Sequence, residues 1–174
     1  MLRLSRISQP TRGRLYFASV QIMKIYFAGP LFSSAERSFN VRMGKLLEKS
    51  RHEVWLPQEH EPRKKDARLI FLKDVEGIDW ADVVVANMDG ADPDSGTCWE
   101  CGYAYGKKPV IVFRTDFRAA GDIASATYNL MLSESATARI DLPFATEEAL
   151  AAAIHKELRS LDVRPHARTS RKGS

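Results

Sequence analysis

The segment 82–106 constrains the fold of this chain more than any other part of the sequence. It opens with the apolar, β-branched run 83–86, continues through a turn rich in Gly, Pro and Asp, and enters a short helix-like segment with one acid, Glu100. This order predicts a buried strand, a loop and a helix. Ligands of open parallel sheets bind beyond the carboxyl ends of the strands, so we expect Glu100 to face a ligand site.

The rest of the chain repeats this alternation of strand and helix. Ser33 and Glu36 have the spacing of a capping box, and Thr146 opens the last amphipathic helix. The pattern predicts an α/β fold, a three-layer Rossmann-like or flavodoxin-like domain with a five-stranded, mainly parallel sheet. Predicted strands lie at 25–28, 52–56, 83–86, 109–113 and 138–140, predicted helices begin near 33, 66, 96 and 146, and 114–129 is a predicted loop.

Three of these helices carry an apolar face that we expect to pack on the sheet. The residues are Phe39, Met43, Leu46 and Leu47 in the first helix, Phe71, Val75 and Ile78 in the second, and Leu150, Ile154, Leu158 and Leu161 in the last.

Basic residues are concentrated at the two ends of the chain. The net charge is +4, but eight of the 26 basic residues and none of the 22 acidic residues lie in 1–22 and 164–174. The segment 23–163 therefore holds 18 basic and 22 acidic residues, a net charge of −4. A nucleic-acid binder needs basic side chains gathered on a folded face, so we expect no nucleic acid among the partners.

We predict a single α/β catalytic domain at 23–163, because 174 residues with 44% hydrophobic content can form one core. The basic segments 1–22 and 164–174 are predicted mobile tails. The first tail also has the composition of an organelle transit peptide, but Met23 directly precedes the first strand, which favours a dispensable extension and a cytoplasmic location. No apolar run approaches the roughly 18 residues of a membrane span, so we expect no membrane contact.

Cys98 and Cys101, the only two cysteines, form a C-x-x-C motif after a predicted strand, which is typical of thioredoxin-like redox sites. However, Gly96 and Thr97 place the helix start before Cys98, and no second cysteine pair exists for a four-thiolate zinc site. The four histidines show no ligand spacing. We therefore favour two small packing residues and expect neither a metal nor a redox cofactor.

Carboxylates indicate a different chemistry at the same place. Asp89, Asp92 and Asp94 crowd the loop before Glu100, and the free N–H groups and dipole of a helix start favour an ionised Glu100. Several acids at one strand edge suit glycosyl chemistry, in which one carboxylate stabilises an electron-poor sugar carbon and another handles the proton of the leaving group. An Asx-rich turn without chemistry is the alternative. Asp74, on or beside the apolar face of the second helix, is either satisfied by a partner or reaches solvent.

Four segments of the chain resemble the nucleoside 2-deoxyribosyltransferases and the related deoxynucleotide N-glycosidases. The resemblance covers about 24–158, and the segments follow one another in the family's order. They are Ile-Tyr-Phe-Ala-Gly-Pro at 25–30, Lys-Asp-Val-Glu-Gly-Ile at 73–78 with Asp-Val-Val-Val at 82–85, Asp-Ser-Gly-Thr at 94–97 running on to Glu-x-Gly-Tyr-Ala at 100–104, and Tyr-Asn-Leu-Met-Leu at 128–132.

The resemblance implies catalytic roles for three residues. Glu100 matches the family's nucleophile, which attacks C1′ of the deoxyribose, releases the base and forms a glycosyl-enzyme intermediate. Tyr26 matches the tyrosine whose hydroxyl orients that glutamate, and Asp74 matches the acid near the departing base. No metal or redox cofactor takes part in the implied reaction.

The resemblance also implies a substrate site. Asp94 matches a residue near the sugar hydroxyls, Phe32 matches an aromatic that packs on the base, and Gly29 lies in the matching turn. Asn129 matches a residue that reaches into the neighbouring subunit's site and holds the 5′ end of the sugar. These matches imply a homo-oligomer with sites shared across the interface, whose partners are a deoxynucleoside or deoxynucleotide and a free nucleobase.

Exchange of bases between deoxynucleosides is the leading hypothesis, and three alternatives stay open. The nearest is an N-glycosidase that hydrolyses deoxynucleoside 5′-monophosphates, for which Ser133 and Ser135 could supply hydroxyl groups to a phosphate pocket. An ordinary surface loop is the favoured explanation of these serines. A thiol oxidoreductase acting through Cys98 and Cys101, and a non-catalytic nucleotide-binding module, are more remote.

Overall fold

The computed structural model describes residues 21–62, 66–119, 121–123 and 126–161. Apart from Gln21 and Ile22, the predicted N-terminal extension lies outside the described residues, and so does the whole predicted tail 164–174. The elements in chain order are β1 Lys24–Ala28, α1 Ser34–Lys49, β2 Glu53–Trp55, a 3-10 turn Pro57–Glu59, α2 Ala67–Trp80, β3 Val83–Asn87, α3 Ser95–Ala104, β4 Val110–Arg114, α4 Leu130–Ser135, β5 Ala138–Asp141 and α5 Glu147–Ser160.

The strands form one five-stranded sheet in the order β2-β1-β3-β4-β5, and every neighbouring pair is parallel. This confirms the predicted fold class and the sheet of five strands. The order runs outward in both directions from β1 and β3, which makes the gap beyond their carboxyl ends the topological switch point. Ligand sites of open α/β sheets lie at this point.

Both faces of the sheet are covered, because successive side chains of a strand point to opposite layers. Ile25 and Phe27 belong to a core cluster with residues of α1 and α5. Tyr26 and Ala28 belong to a second cluster with residues of α2 and α3. Strands buried on both faces read as continuous apolar runs, which explains the sequence pattern at 83–86.

The predicted helix starts at Ser33 and Thr146 are confirmed. The Ser33 hydroxyl accepts from the Glu36 amide at 3.2 Å, while the Glu36 carboxylate accepts from the Ser33 amide at 2.7 Å. The predicted faces of α1 and α5 are also confirmed: Met43, Leu47, Leu150, Ile154 and Leu158 are buried, and Phe39, Leu46 and Leu161 pack against the same core.

Two local predictions were wrong or incomplete. The predicted packing face of α2 holds only at Ile78, since Phe71 is 39% exposed and packs edge-on against Trp99 of α3, with ring centroids 5.3 Å apart. Helix α4 was not predicted, because its six residues are too few to show a helical period.

No helix in the described part of the chain has the length and apolar character needed to cross a bilayer.

Candidate active site

A cavity of about 370 Å³ opens at the switch point, beyond the carboxyl ends of β1 and β3. Its walls come from the loop after β1, the segment after β2, helix α2 and the start of α3. Five of the seven predicted site residues line it: Gly29, Phe32, Asp74, Asp94 and Glu100. The other lining residues are Leu31, Pro57, Glu61, Pro62, Ile70, Gly96 and Thr97.

Tyr26 lies directly behind Glu100. This tyrosine is fully buried in β1, and its hydroxyl donates to Glu100 Oε1 at 2.5 Å. Burial, followed by the charge of Glu100, raises the pKa of Tyr26 far above its usual range. The phenol therefore remains protonated and acts as a hydrogen-bond donor to the carboxylate at any physiological pH.

Burial raises the pKa of Glu100 to about 8; the Tyr26 hydrogen bond lowers it, while Asp74 and Asp94 raise it. The expectation that the helix start ionises Glu100 was wrong. Glu100 is the sixth residue of α3, beyond the first turn in which the helix dipole acts. Asp94 takes that place, since its carboxylate caps the helix and accepts from the Thr97 amide at 2.9 Å.

Asp74 faces ligand space rather than the sheet. It lines the main cavity and also an adjoining opening of about 480 Å³ between α2 and α3, where Phe71 and Trp99 form the outer wall. Burial, followed by the charge of Glu61, raises the pKa of Asp74 to about 6. A carboxyl group with such a pKa is protonated often enough near neutral pH to donate a proton.

The other two acids of the β3–α3 loop are not part of the cavity. Asp89 binds across to the β4 side, where it accepts from the Thr115 amide at 2.6 Å and from the Asp116 amide at 2.8 Å. Asp92 is exposed and does not line the cavity. The alternative of a structural Asx-rich turn therefore holds for Asp89, whereas Asp94 joins Glu100.

Asn129 is not brought to the cavity of its own chain. It caps α4, with its side-chain oxygen accepting from the Met131 amide at 2.9 Å. The hydroxyls of Ser133 and Ser135 donate to the carbonyls of Leu130 and Leu132 within the same helix. In this chain, these serines therefore lie apart from the cavity that holds Glu100.

The two cysteines lie on α3, where Cys101 is buried and Cys98 is partly buried. Burial raises the pKa of both thiols, that of Cys101 to about 12. Reactive cysteines have lowered pKa values, so the environment supports the prediction that these residues serve packing. Among the described residues, no group of three or more His, Cys, Asp or Glu side chains could hold a metal ion.

Sequence reasoning missed Glu61, which it assigned to a solvated loop. Glu61 follows β2, and its carboxylate accepts from Arg37 at 3.0 Å while it lines the cavity. The signal that could have found it is its position, because the segment after a parallel strand starts at the ligand-binding edge.

The family model of the nucleoside 2-deoxyribosyltransferases matches residues 25–165 of the chain. Among solved structures, a conserved protein from Enterococcus faecalis V583 is 30% identical with a TM-score of 0.63, over 79% of this chain and 99% of that one. A 2-deoxyribosyltransferase from Bacillus psychrosaccharolyticus is 29% identical with a TM-score of 0.57, over 74% and 90%.

A 2-deoxyribosyltransferase from Leishmania mexicana shares the fold, at 24% identity and a TM-score of 0.58 over 76% of this chain and 97% of that one. No curated protein sequence matches the chain. The family model nevertheless spans most of the chain, including every residue that lines the cavity. The chain therefore belongs to the nucleoside 2-deoxyribosyltransferase family.

Proposed function

We propose that this enzyme transfers 2-deoxyribose from one nucleobase to another through a covalent ester between the sugar and Glu100. The observation that carries the proposal is the 2.5 Å hydrogen bond from Tyr26 to Glu100, in a cavity shared with Asp74 and Asp94. The cavity has the volume of a small-molecule site. A carboxylate oriented by a buried phenol in such a site is suited to attack an electrophilic sugar carbon.

In the first half-reaction, one oxygen of ionised Glu100 attacks C1′ of the deoxynucleoside from the face opposite the base. The bond between C1′ and the base nitrogen breaks, and its electron pair passes to the base. The transition state resembles an oxocarbenium ion, and the carboxylate beneath C1′ stabilises the developing positive charge. Asp74 donates the proton that leaves the base neutral.

In the second half-reaction, a ring nitrogen of another base attacks C1′. The ester bond breaks, its electron pair returns to the Glu100 carboxylate, and the proton on the attacking nitrogen passes to Asp74. Each group is then in its starting state. The two displacements together retain the configuration at C1′.

Tyr26 supports the charge that both steps require. Burial disfavours the ionised form of Glu100, so this form depends on a hydrogen bond from a group that stays protonated. The pKa of Tyr26 lies far above its usual range, so its phenol always keeps the proton of that hydrogen bond.

Hydrolysis of 5′-monophosphates is the second candidate, and it would share the first half-reaction and use water in the second. The composition of the cavity favours an uncharged nucleoside instead. Its lining includes four acids, Glu61, Asp74, Asp94 and Glu100, and no Lys, Arg or His occurs among the lining residues that the structure describes. Against the described lining residues, a phosphate dianion would meet four acidic side chains.

The enzyme is further proposed to be a homo-oligomer that shares its sites across subunits. Trp99, Tyr105 and Met131, on the α3 and α4 side of the cavity, are 46%, 63% and 70% exposed. Tyr105 and Met131 line one opening between α3 and α4, and exposed apolar side chains grouped in this way are typical of a protein interface. Asn129 caps α4 beside Met131 and does not line the cavity of its own chain, which suits contact with the cavity of a second copy.

Incubation with deoxyadenosine, deoxyinosine, thymidine and deoxynucleoside monophosphates, with and without a free acceptor base, tests the proposal by chromatography of the products. Exchange that depends on the acceptor base is expected, and the Glu100→Gln variant should lose roughly three orders of magnitude of activity or more. Asp92→Asn, an exposed acid of the same loop outside the cavity, should leave the rate unchanged. Release of base without an acceptor would favour the hydrolase, and inactivity with every substrate would contradict both.

A further inference from the structure

Glu61 lines the same cavity as Asp74, Asp94 and Glu100, on the segment after β2 that also contributes Pro57 and Pro62. Its charge acts on Asp74. In the proposed function Asp74 is near the departing base, so Glu61 lies on the side of the cavity that the base occupies.

The segment that carries Glu61 is anchored to α1. The Arg37 guanidinium donates to Glu61 Oε1 at 3.0 Å, and the Arg37 carbonyl accepts from the Gln58 amide group at 2.9 Å. Gln58 is bound in turn by the buried Asn40, which donates to its side-chain oxygen at 3.2 Å. A carboxylate can accept about four hydrogen bonds, so the Arg37 contact leaves Glu61 able to accept from a ligand.

Apart from the four acids, the cavity lining that the structure describes offers few polar side chains. Leu31, Phe32, Pro57, Pro62 and Ile70 are apolar, and the Thr97 hydroxyl donates to Asp94. A base in this part of the cavity meets a donor at protonated Asp74 and, next to it, an acceptor at Glu61. The complement of this pair is a ring nitrogen beside an exocyclic amino group.

Adenine presents such an edge at N7 and its 6-amino group, and cytosine presents one at N3 and its 4-amino group. Hypoxanthine and thymine carry a carbonyl oxygen at the corresponding position. That oxygen would face the Glu61 carboxylate, so two acceptors would oppose each other. The Glu61 side chain keeps 36% of its surface exposed, so the loss of this hydrogen bond is a source of moderate discrimination between substrates.

We propose that Glu61 is a specificity-determining residue that selects amino-bearing bases, adenine and cytosine, over oxo-bearing bases, hypoxanthine and thymine. The inference rests on the proposed function, since it places a base beside Asp74. Glu61 accepts a hydrogen bond from the exocyclic amino group, and Arg37 holds the carboxylate in the required position.

The test compares kcat/KM for deoxyadenosine and deoxyinosine with one common acceptor base, because these substrates differ chiefly at the 6-position. The wild-type enzyme should prefer deoxyadenosine by about tenfold or more. Glu61→Gln supplies an amide N–H that can donate to a carbonyl oxygen, so the ratio should fall by about tenfold or shift toward deoxyinosine. Glu59→Gln makes the same change of charge on the neighbouring 3-10 turn, outside the cavity, and should leave the ratio unchanged.

Two further measurements separate recognition from a general loss of activity. Free adenine should inhibit the wild-type enzyme at lower concentration than hypoxanthine, and Glu61→Gln should reduce that difference. In addition, loss of the Glu61 charge lowers the pKa of Asp74, so a smaller fraction of Asp74 is protonated and kcat/KM near neutral pH should also fall by a common factor for both nucleosides in Glu61→Gln.

The inference is overturned by an enzyme that turns over both nucleosides equally and is inhibited equally by both bases. It is also overturned if Glu61→Gln changes the ratio no more than Glu59→Gln does. Inactivity of the wild-type protein toward all deoxynucleosides would instead contradict the proposed function, so the two failures are distinguishable.

Discussion

At the scale of the residue, the site depends on opposing influences on Glu100. Burial and the neighbouring acids Asp74 and Asp94 raise its pKa, and the Tyr26 phenol lowers it. A nucleophile must be ionised, so the hydrogen bond from Tyr26 on β1 determines how much of the enzyme is active near neutral pH.

Tyr26→Phe removes that hydrogen bond while keeping the ring in the core. Hydrogen bonds to charged groups contribute about 1.5–3 kcal/mol, so the pKa of Glu100 should rise by about 1–2 units. A raised pKa leaves a smaller fraction of Glu100 ionised, so kcat/KM near neutral pH should fall by about tenfold or more. An unchanged kcat/KM near neutral pH would show that Tyr26 does not stabilise the carboxylate.

At the scale of the element, α2 is the helix whose position determines where Asp74 lies. One turn after Asp74, Gly77 packs directly on Trp55 at the end of β2. A Cβ atom on Gly77 would lie 2.6 Å from Trp55 Cε2 and 2.8 Å from Cδ1, closer than carbon atoms approach. Lys108 anchors the far end of the helix by donating to the carbonyl of Ala81 at 2.6 Å.

Gly77→Ala should therefore push α2 away from β2 and displace Asp74. Overpacking of this kind costs about 1–3 kcal/mol, and the shift should lower kcat/KM as well as the free energy of unfolding.

Gly102→Ala in α3 is the matched control, because a Cβ there meets no atom within 4 Å. Denaturant unfolding should show a loss for Gly77→Ala and a gain of about 0.5–1 kcal/mol for Gly102→Ala. Equal effects of both substitutions would contradict the role of the Trp55 contact.

At the scale of the whole molecule, the sheet follows from local sequence signals, whereas the five cavity residues were predicted from the resemblance to a known family. The apolar strands and the caps at Ser33 and Thr146 act over a few residues, so the sequence alone reveals them. The position of Glu61, the exposure of Phe71 and the pKa of Glu100 depend instead on which elements pack together. The helix-start argument was wrong because it did not anticipate that Asp94 would occupy the cap.

The proposed sharing of sites between subunits is also a property of the whole molecule. Glu100→Gln and Asn129→Ala should each be nearly inactive alone, since each variant oligomer lacks one component at every site. Random exchange of subunits in an isologous dimer makes about half of the dimers hybrids, and each hybrid has one intact site of two. Mixing equal amounts of the variants should therefore recover roughly one quarter of wild-type activity. No recovery after confirmed exchange of subunits would place Asn129 in the site of its own chain.

The central claim is that deoxyribose becomes covalently attached to Glu100. Rapid acid quenching of the enzyme with deoxyadenosine, in the absence of an acceptor base, followed by peptide mass spectrometry, measures this attachment directly. The expected result is an increase in mass equal to one deoxyribosyl group on the peptide that contains Glu100, which disappears when an acceptor base is added before quenching. Turnover without any such adduct, or an adduct on another residue, would contradict the claim.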